Sequence, residues 1–245
     1  MKSTAILLFF SITLVQLTAQ QFYMITDTRD GQEYRIVKIG NQWWMAENLK
    51  ASVYCDGTAI PLIKEDTEWE TLIESDIAYC YYGNKIKNKD VYGLLYTWAA
   101  AMGGAESSSS NPSGVQGICP EGWHLPSDDE WKQLELYLGI SIYQIDSTGY
   151  RGTVEGGSMK DTGTVYWTSP NTGATNLSGF KALPGGSRYF TGSYLSMGYY
   201  PAYWSSTEYE SYYAWSRLLF YNSSKVYRGT YYKHYGFSVR CVKDY

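Results

Sequence analysis

Several absences narrow what this chain can do. Among 245 residues only two are histidine and four are cysteine. No Cys-x-x-Cys pair occurs, and only His124 and His234 could assist a thiolate, so metal ligation by the cysteines has little to build on. There is no Gly-x-Ser-x-Gly elbow, no glycine-rich phosphate cradle and no His-Glu-x-x-His pair. The net charge of −4 supplies no basic footprint, which argues against nucleic acid as a partner. Past the N-terminal leader, no apolar run is long enough to span a bilayer. No repeat of fixed period is evident.

What the chain has in excess is tyrosine, 26 residues beside 9 Trp and only 7 Phe. A tyrosine ring is flat and apolar with a polar tip, suited to half-buried strands and to surfaces that meet polar partners.

Residues 1–19 read as a secretory signal. Lys2 is the positive start, Ala5 to Val15 the apolar stretch, and Leu17-Thr18-Ala19 the cleavage site before Gln20. No cysteine follows that site, so a lipoprotein anchor is not indicated. The mature chain is then exported, to the periplasm, the cell surface or beyond. Export makes the even cysteine count readable as disulfides. Of the three pairings that four cysteines allow, Cys55–Cys80 within the N-terminal half and Cys119–Cys241 from centre to end are favoured. Each would contribute roughly 3–5 kcal/mol on the chain-entropy view.

The strongest local signal is the stretch from Cys119 to Trp131. Ser127 with Glu130 forms a capping box, and Asp128 and Asp129 add negative charge at the helix start. Pro126 keeps Leu125 extended before the turn. Trp131, Leu134 and Leu138 make one apolar stripe, with Asp128 and Lys132 expected to pair on the wet side. His124, just ahead of the Leu-Pro turn, is better placed for a structural hydrogen bond than for a catalytic base.

Upstream, Phe22 to Ile25, Tyr34 to Ile39 and Gln42 to Met45 read as a β-meander, with Trp43 and Trp44 on opposite faces. A short helix near Thr67 to Ile73 would turn Trp69, Leu72 and Ile73 inward, and Tyr79 to Tyr82 reads as a strand. A second helical segment begins by Thr97 and stops at Gly103-Gly104. Residues 104–117 read as a flexible loop of low complexity. After the capped helix come strands at Val165 to Thr168, Phe180 to Leu183, Ala202 to Ser205, Tyr213 to Phe220, Lys225 to Arg228 and Phe237 to Val242, punctuated by Gly, Pro and Asn.

Four ordered motifs carry a resemblance: Tyr92 to Trp98, Cys119 to Pro126, Trp204 to Glu208, and Gly236 to Val242. Together they resemble the Fibrobacter succinogenes major paralogous domain, a family of exported proteins in Bacteroidetes and Fibrobacteres, over nearly all of the mature chain. The resemblance implies one domain over residues 20–245. That family is in turn similar to the formylglycine-generating, sulfatase-modifying group, through Leu125 to Trp131 and the closing strand Gly236 to Arg240. This wider similarity implies an α+β, C-type-lectin-like fold: a twisted antiparallel sheet core, two main helices and long irregular loops. It also implies that the termini meet in one sheet, in agreement with a Cys119–Cys241 staple.

The formylglycine-generating chemistry needs a copper-binding cysteine pair near the C-terminal strands, and Tyr212 to Arg228 contains no cysteine. Related iron enzymes use three histidines, one more than this chain has. The expectation is therefore a non-catalytic recognition module for a glycan or another surface polymer. The candidate ligand-binding residues are Trp167, Asn171, Tyr203, Trp204, Glu208, Trp215 and Arg217, aromatic faces for stacking and polar groups for hydroxyls. Calcium-bridged sugar binding is not supported, because Ser169-Pro170-Asn171 lacks the acid and Trp204-Ser205-Ser206 lacks the ligands of that motif. No cofactor is called for, although loop carboxylates leave room for a structural calcium. The alternatives are a divergent enzyme on the same scaffold and a structural subunit of a surface assembly.

Overall fold

Alternating apolar residues near the N-terminus set up the first ladder. The computed structural model describes residues 21–244, so the leader lies outside the described residues. Strands β1 (Tyr23–Thr26), β2 (Glu33–Ile39) and β3 (Gln42–Met45) form the antiparallel meander expected from their alternation. Trp44 is buried and Trp43 half-exposed, as period-two geometry requires. Helix α1 (Asp66–Glu70), strand β4 (Tyr79–Cys80), a 3-10 turn at Tyr82–Asn84 and helix α2 (Lys87–Tyr92) follow. Next come β5 (Leu95–Tyr96), α3 (Trp98–Met102), β6 (Trp123–His124), α4 (Asp128–Leu138), β7 (Gly149–Arg151) and α5 (Glu155–Met159). The C-terminal part holds β8 (Ser187–Arg188), β9 (Tyr194–Leu195), β10 (Ala202–Glu210), β11 (Tyr213–Leu219), β12 (Val226–Tyr232) and β13 (Val242–Lys243).

The result is a mixed α/β fold, mostly antiparallel sheet with few helices. One sheet has the order β1-β2-β3-β13-β6 and the other β10-β11-β12-β7, with two further strand pairs, β4-β5 and β8-β9. The last strand lies between β3 and β6, so the two ends of the described chain share a sheet. Among the described residues only α4, at 11 residues, is a substantial helix; α3, expected from Thr97 to the Gly103-Gly104 stop, has 5. Val165 to Thr168 forms no strand, and Phe180 to Leu183 reduces to a single bridge at Ala182. Those segments are short and flanked by glycine and proline, and isolated backbone and side-chain hydrogen bonds hold them instead of a ladder. Ile73, expected inward, is exposed because α1 ends before it.

Both sheets divide the interior. One apolar cluster contains Tyr34, Met45, Trp98, Trp204, Phe237 and the Cys119–Cys241 disulfide. The other contains Trp44, Trp131, Leu134, Phe180 and Tyr203. Gly93 shows how tightly the segments pack: a Cβ there would stand 2.7 Å from Asn48 Cβ and 2.8 Å from the Leu49 carbonyl, at a φ of +76° that side chains avoid. The serine-rich loop is not free. Ser108 accepts from the Ser206 and Thr207 hydroxyls, and the Ser113 hydroxyl donates to the Leu125 carbonyl.

Cys119 and Cys241 are joined, with 122 residues between them in sequence. The expected Cys55–Cys80 bond is absent, and both are free thiols. The cause is local. Arg29 donates to the Val53 and Ile118 carbonyls, which pins the turn bearing Cys55 beside Cys119, and the Cys55 thiol reaches the Cys119 carbonyl at 3.4 Å. Cys80 is instead buried with Ile63, Trp69, Ala78 and Leu95. Burial pushes its thiol up to about 11, so it is inert at neutral pH. Thiol titration without reductant should therefore label Cys55 alone in the native protein and both Cys55 and Cys80 after unfolding. Replacing Cys119 and Cys241 together with serine should cost about 3–5 kcal/mol in urea unfolding. A native protein with no reactive thiol would contradict this assignment.

Candidate functional site

Most of the seven residues expected to bind ligand belong to the interior. Trp204 is fully buried; its indole donates to the Tyr96 carbonyl at 2.8 Å and its ring lies 4.4 Å from Phe237. Tyr203 faces the other way, against Trp131 and Phe180. Trp167 is buried and donates to the Ala182 carbonyl, with the Lys160 ammonium 5.2 Å from its ring. Asn171 is buried and its amide holds the Asp161 and Gly163 carbonyls. Trp215 is half-exposed, but the Arg228 guanidinium sits 3.4 Å from its ring centroid and covers a face. Glu208 lies at the surface and pairs with Lys233 at 3.3 Å. The seven do not converge on one surface, because strand alternation sends consecutive aromatics to opposite sides of the sheet.

Arg217 is the most informative of them. It is 1% exposed and bridges α4: Nε donates to Glu135 at 2.6 Å and Nη1 to Asp128 at 2.7 Å. Arg228 holds both Asp128 oxygens, at 3.0 and 2.7 Å, and Arg151 donates to Glu135 at 2.8 Å. Asp128, expected on the wet side, is thus buried beneath two guanidinium groups, while Lys132 reaches it at 3.2 Å from outside. Burial alone would raise the Asp128 carboxyl, but Arg217 and Arg228 reverse that and hold it well below the usual carboxylate range.

These ion pairs decide which way the four-stranded sheet faces. Arg217 on β11, Arg228 on β12 and Arg151 on β7 all project to the α4 side. The alternate positions, Ala214, Ser216 and Leu218 on β11, Tyr227, Gly229 and Tyr231 on β12 and Tyr150 on β7, project to the other. There Ala214 and Leu218 pack into the first apolar cluster with Trp204 and Phe237, and tyrosines line its margin. Tyr150 is 51% exposed, and Tyr200, Phe220, Tyr227 and Tyr231 are half-buried. Tyr150 meets Tyr227 at 5.2 Å and Phe220 at 5.5 Å, and Phe220 meets Tyr200 at 5.5 Å. A Cβ on Gly229 would lie 2.8 Å from the Tyr227 ring and 3.4 Å from the Tyr231 ring, so the bare glycine lets both rings settle onto the sheet. Burial raises the hydroxyl pKa of Tyr150, Tyr200 and Tyr231 above the ordinary value, which keeps them neutral. The signal in the sequence is Tyr-x-Gly-x-Tyr at 227, 229 and 231, hidden when the strand is ended at Arg228.

Two adjoining hollows lie elsewhere. One of about 390 Å³ is lined by Glu74, Ile77, Trp98, Met102, Ser211 and Lys233. Its neighbour, of about 580 Å³, is lined by Tyr54, Cys55, Asp56, Thr58, Met102 and Gln116. Lys233 stands over the Trp98 ring at 4.5 Å and donates to the Ser211 carbonyl, so its charge is already engaged. His124 is no free base. Both ring nitrogens meet carboxylates at 2.6 Å, Nε2 at Glu130 and Nδ1 at Asp244. Glu130 also closes the capping box on Ser127 and takes the Ser113 backbone N–H. Among the described residues, no group of three or more His, Cys, Asp or Glu is placed to hold a metal ion.

A family model described as the Fibrobacter succinogenes major domain matches residues 37–243 of this chain. No curated protein and no solved structure matches it.

Two outcomes follow from the electrostatics. Arg217→Met should destabilise the protein by about 3–5 kcal/mol in urea unfolding, because it strips Glu135 and Asp128 of a buried partner. Burial lowers the His124 pKa, but Glu130 and Asp244 raise it further, so the net shift is upward. Its contribution is therefore complete below about pH 6.5 and fades as pH rises through the raised value. Unfolding free energy measured against pH should lose that decline in His124→Gln; an unchanged profile would contradict the assignment.

Proposed function

The chain belongs to the Fibrobacter succinogenes major domain family, a name that assigns no chemistry, and from that premise we propose that it is a non-catalytic recognition module for a glycan or another surface polymer. The observation that carries this reading is the row of partly exposed rings, Tyr150, Tyr227, Phe220 and Tyr200, at the margin of the first apolar cluster beside β12 and β7. Rings of this kind stack on the C–H faces of sugars while their hydroxyls exchange hydrogen bonds with the ligand's. The row also gives the chain's tyrosine excess a use that the buried tryptophans do not. A contiguous half-exposed aromatic surface on a small protein marks a contact site.

Export fits the same reading. The N-terminal leader pattern and the Cys119–Cys241 disulfide both belong to an oxidising compartment. We take the scaffold to be C-type-lectin-like, supported by the capped start of α4, the closing strand beside β3 and the loop-rich segments between. The distant likeness to the formylglycine-generating group rests on the same two motifs. For a divergent enzyme the candidate nucleophile is Cys55, the one thiol lining the larger hollow.

Binding to an array of bacterial and plant glycans, read by surface plasmon resonance on the hits, tests the proposal. Tyr227→Ala and Tyr150→Ala should each weaken binding about tenfold. Glu74→Ala and Cys55→Ala, in the two hollows, should leave it unchanged. Binding that survives both tyrosine variants and falls with Glu74→Ala would move the site to the hollow under Trp98.

A further inference from the structure

Resting on the tyrosine row as the binding face, we infer that the polymer it takes is electrically neutral and is held as an extended chain, not as a single sugar. Charge placement carries the first half. Every cation of β7, β11 and β12, namely Arg151, Arg217 and Arg228, lies on the α4 side and is engaged there by Asp128 and Glu135. The outward positions of the same strands hold only Tyr150, Ala214, Ser216, Leu218, Tyr227, Gly229 and Tyr231. The tyrosine hydroxyls add donors and acceptors, and burial holds the protons of Tyr150 and Tyr231 in place. An anionic polymer would have to shed its hydration and counterions against a surface that returns no ionic contact. An uncharged, hydroxyl-rich chain meets no such penalty.

Shape carries the second half. The small residues of β11 and Gly229 are buried, so the row is filled in from below and offers no deep cup for one sugar. Its rings run across strands spaced about 4.8 Å apart, from Tyr150 on β7 to Tyr227 on β12 and on through Phe220 to Tyr200. A single ring contact changes affinity by at most about tenfold, too little to hold a monosaccharide. Several in a row hold a chain by summing weak contacts.

Affinity electrophoresis in native gels tests this with defined probes. The neutral probes are dextran, a mixed-linkage β-glucan and galactomannan; the anionic probes are alginate and polygalacturonate. The wild-type protein should be retarded by at least one neutral polymer and by neither anionic one. The retardation should change less than about twofold between 20 and 500 mM salt, because no ion pair is screened. The corresponding monosaccharide should not release it, and Tyr150→Ala should raise the polymer concentration needed for half-retardation about tenfold. Tyr150→Phe, which keeps the ring, should retain most of the retardation and serves as the control for folding. Retention by an anionic polymer that salt reverses would overturn neutrality while leaving polymer recognition standing. Release by the free monosaccharide would overturn the extended-chain reading. Retardation by no polymer at all would bring down the recognition function itself, and this inference with it.

Discussion

Arg217 shared between Asp128 and Glu135 is the contact on which the rest of the architecture depends. It joins the longest helix among the described residues to the middle of the four-stranded sheet, through charged groups that are almost wholly buried. Such an arrangement tolerates no partial version, since removing one partner leaves an uncompensated charge in a dry interior. Arg228 and Arg151 complete it, so three strands each commit a guanidinium to the same helix. Strand alternation then dictates the opposite face. Positions next to the arginines point away from the helix, and those positions are small residues, Leu218 and tyrosine.

Buried cations serve a second purpose in a chain with so much irregular backbone. Loop carbonyls that leave water need donors. Arg29 serves Val53 and Ile118; Arg188 serves Ile63, Lys64 and Gly192; Arg240 serves Met45, Phe180 and Lys181. Lys160 donates to Thr172, Phe220 and Ser223, and burial among carbonyls alone lowers its amine to about 8. The Cys119–Cys241 bond adds a covalent tie between the capped helix start and the closing strand. Together these ties stand in for the ladders that the loops lack.

Local signals were legible in the sequence where one short-range force dominates. The meander, the capping box at Ser127 and Glu130 and the hairpin strands all follow from spacing, whereas composition left three cysteine pairings open and Cys119–Cys241 was only the favoured one. Asp128 shows the limit. On a helical wheel it lies beside Lys132 on the solvent side, and only the sheet's position reveals two arginines over it. The burial of Trp167 and Trp204 was not legible either: period two does not say whether Trp204 in its strand is core or surface, and Trp167 lies outside any strand, where no period applies. The tyrosine face was missed because β12 extends beyond Arg228, and the Tyr-x-Gly-x-Tyr pattern emerges only once that strand is drawn to Tyr232. The Cys55–Cys80 pairing failed because proximity in sequence says little about proximity across a looped chain.

The claim that inward arginines leave a neutral tyrosine face for ligand can be tested by watching the rings themselves. With 13C-labelled tyrosine and tryptophan side chains, titration with a neutral oligosaccharide that the protein binds should shift the ring signals of Tyr150, Tyr227 and Tyr231. Those of the buried Trp204 and of Trp98 beneath its hollow should stay still. Shifts at Trp98 with the three tyrosines silent would contradict the account.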